Sequence, residues 1–444
     1  MKVTRTLARF VVEARAADMP EAVRREAVRS IVNWLGCAVG GCRHETISLA
    51  LAALDEFSGK REASILGRSE KLDIFLAALA NGMSSHVFDF DDTHLKTIIH
   101  PTGPVASALF ALAERKTMSG AELLHAFILG VEVECRIGNA VYPAHYDIGW
   151  HITGTAGVFG AAAAAGKVLG LNEQQMVWAL GIAGTQSSGF REMFGTMCKP
   201  FHPGRAAQNG LLAAHLAKKN FTSSDQVIEA PRGFANVMST ARKYEEITEG
   251  LGKSYEVALN TYKPFACGIV IHPAIDGAIQ LRNEHGLTGA EIEKIEARVA
   301  PLVLELTGKK TPQTGLEGKF SVYHSVAVAV IFGAAGEREY SDACVRDPQV
   351  VELRGKVLPS IDKALRDDEA YLRVTLKDGR VVEKHIEHAV GSLSRPMTDA
   401  QLDAKFRGLA GEVLSAEAME RLLEVARAIE GLRDAAEICR AAIP

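Results

Sequence analysis

The sequence predicts a mainly α protein: a large all-helical domain built from both chain ends (residues 1–266 and 399–444), and a smaller α+β domain (267–398) inserted between them. Three observations carry this expectation. Apolar residues recur with a 3.6-residue period through the first half of the chain and again after Thr398, whereas strand-like alternation is confined to the stretch between. At 444 residues the chain exceeds what one simple core accommodates, so two domains are expected. No internal repeat or low-complexity linker is evident.

In order, helical periodicity runs from Thr4 to about Leu54. Pro20 suits a first helical turn, Val23, Ala27, Ile31 and Leu35 then fall on one face, and Gly40-Gly41 ends the helix. Ala63 to Gly67 reads as short and extended. A helix from Leu72 leads into a polar segment, and further helices are expected over Val105–Arg115, Ala121–Val141 and Thr155–Leu169. The last contains five consecutive alanines, Ala161 to Ala165, between Gly160 and Gly166, so neighbours can approach it closely and it should be central. Beyond Cys267-Gly268, a helix over Ala274–His285 precedes a strand over Ile292–Val299. Tyr371–Leu376 and Val381–His385 flank Asp378-Gly379, a strong hairpin signal. Thr398 and Asp399 are candidate caps for the C-terminal helices, which should rejoin the first domain.

Composition narrows the function. Apolar residues make up 47% and charged residues 23%, ordinary for a globular protein, and a net charge of −4 supplies no basic field for nucleic acid. The seven cysteines form no paired framework and no C-x-x-C, so reduced thiols are expected and an iron–sulfur cluster is not. The N-terminal stretch lacks a signal-peptide core, and no run reaches the roughly 18 apolar residues of a membrane span, so a cytoplasmic protein without membrane or nucleic-acid partners is the expectation.

The chemistry is concentrated in His86-Val87-Phe88-Asp89-Phe90-Asp91-Asp92-Thr93-His94, followed by Lys96 and His100-Pro101-Thr102-Gly103-Pro104. Three carboxylates and three imidazoles share a loop between two helices, more than capping needs, and imidazoles titrate near neutrality. Asp89-Phe90-Asp91-Asp92-Thr93 also fits the D-x-D-x-T nucleophile motif of Mg²⁺-dependent phosphatases, which should follow a buried strand; a helical pattern precedes it here. His151 stands at the N-terminal edge of the alanine-rich helix, where the helix dipole disfavours an imidazolium. A second polar loop, Thr185 to Ala207, carries Lys199, Arg205 and Arg191, the local cations an acidic substrate would need.

Several segments together resemble the MmgE/PrpD family, which includes 2-methylcitrate dehydratase and cis-aconitate decarboxylase. They are His86-x-x-Asp89-Phe90-Asp91-Asp92-Thr93 with His100-Pro101-Thr102-Gly103, Lys199-Pro200-x-His202-x-Gly204-x-Ala206-Ala207, and Lys263-Pro264-Phe265-x-Cys267 with His272 and Ile275-Asp276. Lys319-Phe320-Ser321, Gly391 to Pro396 and Lys405-Phe406 add to them. The resemblance implies that the inserted domain is a lid, that the enzyme is a cofactor-free homodimer acting on small di- or tricarboxylates, and that its active site lies between the domains. Carried over position by position, it implicates Asp89, Thr93, His100, His151, Lys199 and His272. Two departures touch the implied pocket: Tyr323-His324 stands where many members have a tyrosine at the second position, and the Thr93–His100 loop is one residue longer than in the decarboxylase-like pattern and carries Lys96.

Asp89, His100, His151, Lys199 and His272 are therefore the expected catalytic residues, with no metal, and Thr93, Lys96, Arg205, Tyr323 and His324 the expected substrate contacts. The first expectation is a 2-methylcitrate dehydratase-like hydro-lyase abstracting a proton beside a carboxylate. The alternatives are a cis-aconitate decarboxylase-like or epimerase activity on the same fold, a Mg²⁺-dependent phosphatase, and a non-catalytic carboxylate-binding protein.

Overall fold

A computed structural model describes residues 2–444. It is 58% helical with small sheets, which makes the protein mainly α as expected. The Cα positions cluster into two compact units: residues 1–87, 91–261 and 399–444 form the first, and residues 88–90 with 262–398 the second.

The first unit is a helical assembly around the alanine-rich helix Ile152–Leu169, which begins three residues earlier than its periodicity suggests, with His151 at the N-cap position. Glycines and alanines let its neighbours close in. A Cβ placed on Gly210, in the helix Cys198–Lys218, would lie 2.5 Å from the Ala161 side chain and 2.7 Å from the Val158 carbonyl. On another side the helix Gly120–Val141 brings Glu134 against Gly157 and Gly160. The helix Glu21–Gly41 starts behind Pro20 and ends at the glycine pair, and Trp34 stacks on Phe110 of the helix Thr102–Ala113 at 5.1 Å. Asp73 accepts hydrogen bonds from the backbone N–H groups of Phe75 and Leu76, which fixes the start of the helix Ile74–His86. Two antiparallel two-residue ladders tie loops together: β1 (Ala63–Ser64) with β2 (Lys71–Leu72), and β3 (Thr93–His94) with β4 (Asn260–Thr261).

One expected loop is a helix instead. Residues 198–204 form the first turns of Cys198–Lys218, with Pro203 inside. Pro200 falls where an N–H has no intrahelical partner, so a proline-rich start is compatible with helix although it reads as loop. The alanine-rich helix is also the one helix among the described residues long and apolar enough to cross a membrane by length and composition; 83% of that window is buried inside the protein, as befits a core helix. None of the seven cysteines is in a disulfide, and five are buried, Cys37, Cys42, Cys135, Cys267 and Cys439.

The second unit holds a four-stranded sheet ordered β6-β5-β7-β8, in which β5 (Ile292–Val299) pairs parallel with β6 (Val357–Ile361) and antiparallel with β7 (Ala370–Leu376), and β7 pairs antiparallel with β8 (Val381–Ile386). The expected hairpin is β7–β8, and Gly379 in its turn has φ 88°, a conformation other residues resist. Alternate residues of β7, Ala370, Leu372, Val374 and Leu376, are buried. The helix His272–His285 lies against this hairpin, with Gly277 facing Leu372 and Ile386.

Gly210→Ala should therefore lower stability by about 1–3 kcal/mol through overpacking against the alanine-rich helix. Gly59→Ala, whose added methyl would meet nothing within 4 Å, should leave the denaturation midpoint unchanged. Equal midpoints for the two variants in urea unfolding would contradict the close approach.

Candidate active site

Four histidines of the first unit come together where helices begin and end. His86 is the last residue of Ile74–His86, His100 lies two residues before Thr102–Ala113, His151 caps Ile152–Leu169, and His202 is in the first turns of Cys198–Lys218. The His86 ring lies 4.7 Å from that of His100 and 5.7 Å from that of His151, and His151 lies 5.1 Å from His202. Glycine makes the last contact possible: a Cβ on Gly189 (φ 129°) would lie 3.1 Å from the His202 ring, and one on Gly154 would meet the Ser188 carbonyl at 2.5 Å. Two further bonds fix the loops carrying these rings. The His151 N–H donates to the Gly189 carbonyl at 3.0 Å, and the His100 N–H to Thr153 Oγ1 at 3.1 Å.

Asp91 organises one side. Its Oδ2 accepts from His86 Nδ1 at 2.8 Å, and its Oδ1 lies 3.2 Å from His100 Nδ1. The His100 Nδ1–H itself is aimed at the Asp92 carbonyl, 2.8 Å away. Burial opposes ionisation of Asp91, but the His100 and His86 N–H groups outweigh it and hold the carboxyl well below the ordinary range. Burial pushes His86 down to about 4, with the Lys199 charge adding to the effect. His151 is driven well below the usual imidazole value by burial, then by His86 and Lys199; burial also takes His202 to about 4. These three imidazoles are neutral at physiological pH. His151 and His202 face each other Nδ1 to Nδ1 at 2.8 Å, so one of the two carries the proton and the other accepts it.

The same three donors, His86, Asp91 and His100, lie close enough to suggest a cation site. A carbonyl oxygen accepts only, so the His100 Nδ1 that faces Asp92 carries hydrogen, and a cation there would meet the Nε2 of that ring.

Of the expected residues, the first unit brings together His100, His151 and Thr93, whose Oγ1 lies 3.5 Å from His100 Nδ1. Lys199 is buried, with Nζ 5.2 Å from the centre of the Phe194 ring, which in turn contacts the His151 ring edge-on at 5.0 Å. Lys96 and Arg205 are exposed instead: Lys96 pairs with Glu246 at 2.8 Å and Arg205 donates to Gln208. His94, the third imidazole of the loop, is fully engaged by Thr97 at 2.7 Å and Glu256 at 2.9 Å.

The second unit holds Asp89, His272, Tyr323 and His324. Asp89 is buried with φ 54°, in the left-handed region that costs a non-glycine residue energy. Lys263 stabilises it there, donating to the Asp89 carbonyl at 2.7 Å and to Oδ1 at 3.0 Å. Lys319 bonds the Phe88 carbonyl and pairs with Glu337. His272 opens its helix with its ring edge on Phe265 at 5.2 Å. Tyr323 is half-buried, whereas His324 is fully buried, donates Nε2–H to the Glu339 carbonyl at 2.9 Å and is held by burial at about 4. The phosphatase alternative required Asp89 to follow a buried strand; what precedes it is the helix ending at His86.

Sequence reasoning assigned no role to His86, Asp91, His202 or Lys263. All four lie inside the motif segments, and His86 and Asp91 flank Asp89 in the richest of them.

Behind the cluster sit further buried carboxyls. Asp92 Oδ2 accepts from Thr102 Oγ1 and Asn260 Nδ2, both at 2.6 Å, while burial and the Asp91 charge raise its pKa. Glu134 is fully buried, neither of its oxygens has a hydrogen-bond partner, and burial, then Asp92, holds it well above the carboxylate range.

Comparison with known proteins agrees with the resemblance. The MmgE/PrpD N-terminal domain model matches residues 5–247 and the MmgE/PrpD C-terminal domain model residues 265–430. The chain belongs to the MmgE/PrpD family. It is 28% identical over 446 residues to cis-aconitate decarboxylase of Aspergillus terreus strain NIH 2624 / FGSC A1156, covering 94% of this chain and 91% of that one. Identity to the Homo sapiens cis-aconitate decarboxylase is 27% over 460 residues, covering 97% and 92%. Similarity to the 2-methylcitrate dehydratase of Cupriavidus necator is confined to 136 residues, 29% identical and 28% of each chain.

Glu134 provides a test of the buried charge balance. Its folded pKa lies above its unfolded value near 4.5, so the unfolded chain ionises first and the wild type loses stability as pH rises above about 4.5. Glu134→Gln removes this loss. Its melting midpoint minus that of the wild type should grow between pH 4.5 and 8; a difference that is constant or shrinks would contradict a neutral Glu134.

Proposed function

We propose that the protein is a cofactor-independent lyase acting on a small di- or tricarboxylate. The observation that carries this is the group of imidazoles beside buried Lys199, His151 and His202 among them neutral, gathered at the N-termini of Thr102–Ala113, Ile152–Leu169 and Cys198–Lys218. Helix N-termini favour anions and disfavour imidazolium, so this region suits a substrate carboxylate together with neutral bases. An ammonium at Lys199 would offset charge developing next to that carboxylate as a C–H or C–C bond breaks.

Two finer readings divide on the proton. The geometry favours proton abstraction: His151, neutral at physiological pH, takes a proton beside the carboxylate, a second proton taken up at His100 Nε2 passes to the hydroxyl, which leaves as water, and the product is an alkene, as in a 2-methylcitrate dehydratase-like hydro-lyase. The second reading is decarboxylation of a cis-aconitate-like acid, in which Lys199 holds the charge left by departing CO₂ and an imidazole N–H protonates the carbon. It is supported by the relatives that match along nearly the whole chain, which are cis-aconitate decarboxylases. Catalytic roles for Asp89 and His272 of the second unit belong to the same proposal.

Citrate, 2-methylcitrate and cis-aconitate should be assayed by ultraviolet absorbance for a new C=C bond and by gas evolution. A new absorbance without gas supports dehydration, CO₂ supports decarboxylation, and neither from any polyacid refutes the lyase. EDTA should leave the rate unchanged. Lys199→Ala and His151→Gln should each lower kcat/KM by at least about 100-fold with the fold retained, in line with the loss of a charge stabiliser or base; near-normal rates in both would overturn the assignment.

With its pKa held low, His151 stays a competent base well below pH 6.5, so kcat/KM should not yet fall as pH drops from 7.5 to 6. An acid limb at or above 6.5 in the pH–rate profile would contradict it.

A further inference from the structure

We propose that Asp91 is a positioning residue that locks His86 and His100 with hydrogen on Nδ1, leaving the Nε2 atom of each ring as the one that takes up or gives up a proton. This rests on the reading of His100 as a reacting group and adds a residue that acts through it.

Three contacts carry the inference. An ionised carboxylate accepts only, so the 2.8 Å bond to Asp91 Oδ2 requires the proton on His86 Nδ1. The Asp92 carbonyl, 2.8 Å from His100 Nδ1, requires a proton there too. Asp91 Oδ1, 3.2 Å from the same nitrogen, adds its negative charge to that preference. Neutral histidine in water favours the Nε2–H form, so two Nδ1–H rings within 4.7 Å of each other need a local cause, and this carboxylate supplies one.

His86 shows the consequence most clearly. With its proton on Nδ1, its buried Nε2 is a lone pair without a hydrogen-bond donor. Such an orphan is costly in a packed interior. His100 acquires the same polarity: its proton points back into the protein, and its Nε2 is left to exchange a proton with a ligand.

Asp91→Asn tests the role. The amide can accept from one ring through its oxygen, but its –NH₂ donates and therefore requires a lone pair on any Nδ1 it faces. At least one of the rings should then lose its restraint or switch to Nε2–H. In ¹⁵N-histidine-labelled protein at pH 7.5, long-range ¹H–¹⁵N spectra distinguish the tautomers, and His86→Gln and His100→Gln assign the two signals. The wild type should show both as Nδ1–H. Asp91→Asn should alter at least one of them and lower kcat by at least about 100-fold with KM within about threefold, as expected for a positioning group. Asp91→Glu, which keeps the charge, should recover part of both.

Nε2–H signals for either ring in the wild type overturn the proposal without any variant having to fold. So does an Asp91→Asn enzyme with unchanged kcat. Should no polyacid be turned over, the lyase reading fails while the tautomers are still decided by the spectra. If turnover is found and the tautomers are wrong, the positioning role alone falls.

Discussion

An ionised carboxylate buried among imidazoles is the constraint on which the first unit's chemistry depends. Asp91 is fully buried, and such a charge persists only where donors compensate its lost hydration. His86 Nδ1–H provides one, the His100 ring lies 3.2 Å from the other oxygen, and each ring is held where a helix starts or stops. Move either helix end and the carboxylate loses its compensation. The helical framework and the charge state of the cluster are thus parts of one arrangement. The same burial that endangers Asp91 makes His86, His151 and His202 bases rather than acids at neutral pH.

Small residues make the arrangement possible. The alanine-rich helix admits Cys198–Lys218 at Gly210, and Gly154 and Gly189 leave room for the His202 ring. Bulkier residues at these positions would hold apart the elements carrying His151 and His202. This part of the fold was legible in the sequence, because five alanines between glycines have no other obvious use in a long apolar helix. The hairpin around Asp378-Gly379 and the alternating strand Ile292–Val299 were equally legible, since two-residue periodicity and a turn signal are local properties. The helical start at Cys198 was not: prolines at 200 and 203 read as loop, and only tertiary packing shows that they lie in early turns.

The site was legible in part. His100, His151 and Thr93 were singled out by sequence and lie in one neighbourhood, and Lys199 is buried beside Phe194 with its charge felt by the His151 ring. Lys96 and Arg205 looked like substrate cations by charge alone, but their side chains reach surface partners, which composition does not foretell. Conversely, His86, Asp91 and His202 carried no separate signal. Their importance lies in which nitrogen meets which oxygen, and chain spacing does not encode that. His324 illustrates the same limit: it marks a departure from the family pattern, yet its ring is buried and bonded to a backbone carbonyl.

The central claim is that the histidine cluster with Lys199 is where a small polycarboxylate is held. The most direct measurement is a crystal structure of the protein with tricarballylate, an unreactive tricarboxylate. The account predicts a carboxylate within hydrogen-bond distance of Lys199 Nζ and of at least one ring nitrogen of His100 or His151. A tricarballylate ordered elsewhere, with those three side chains untouched by it, would contradict the account.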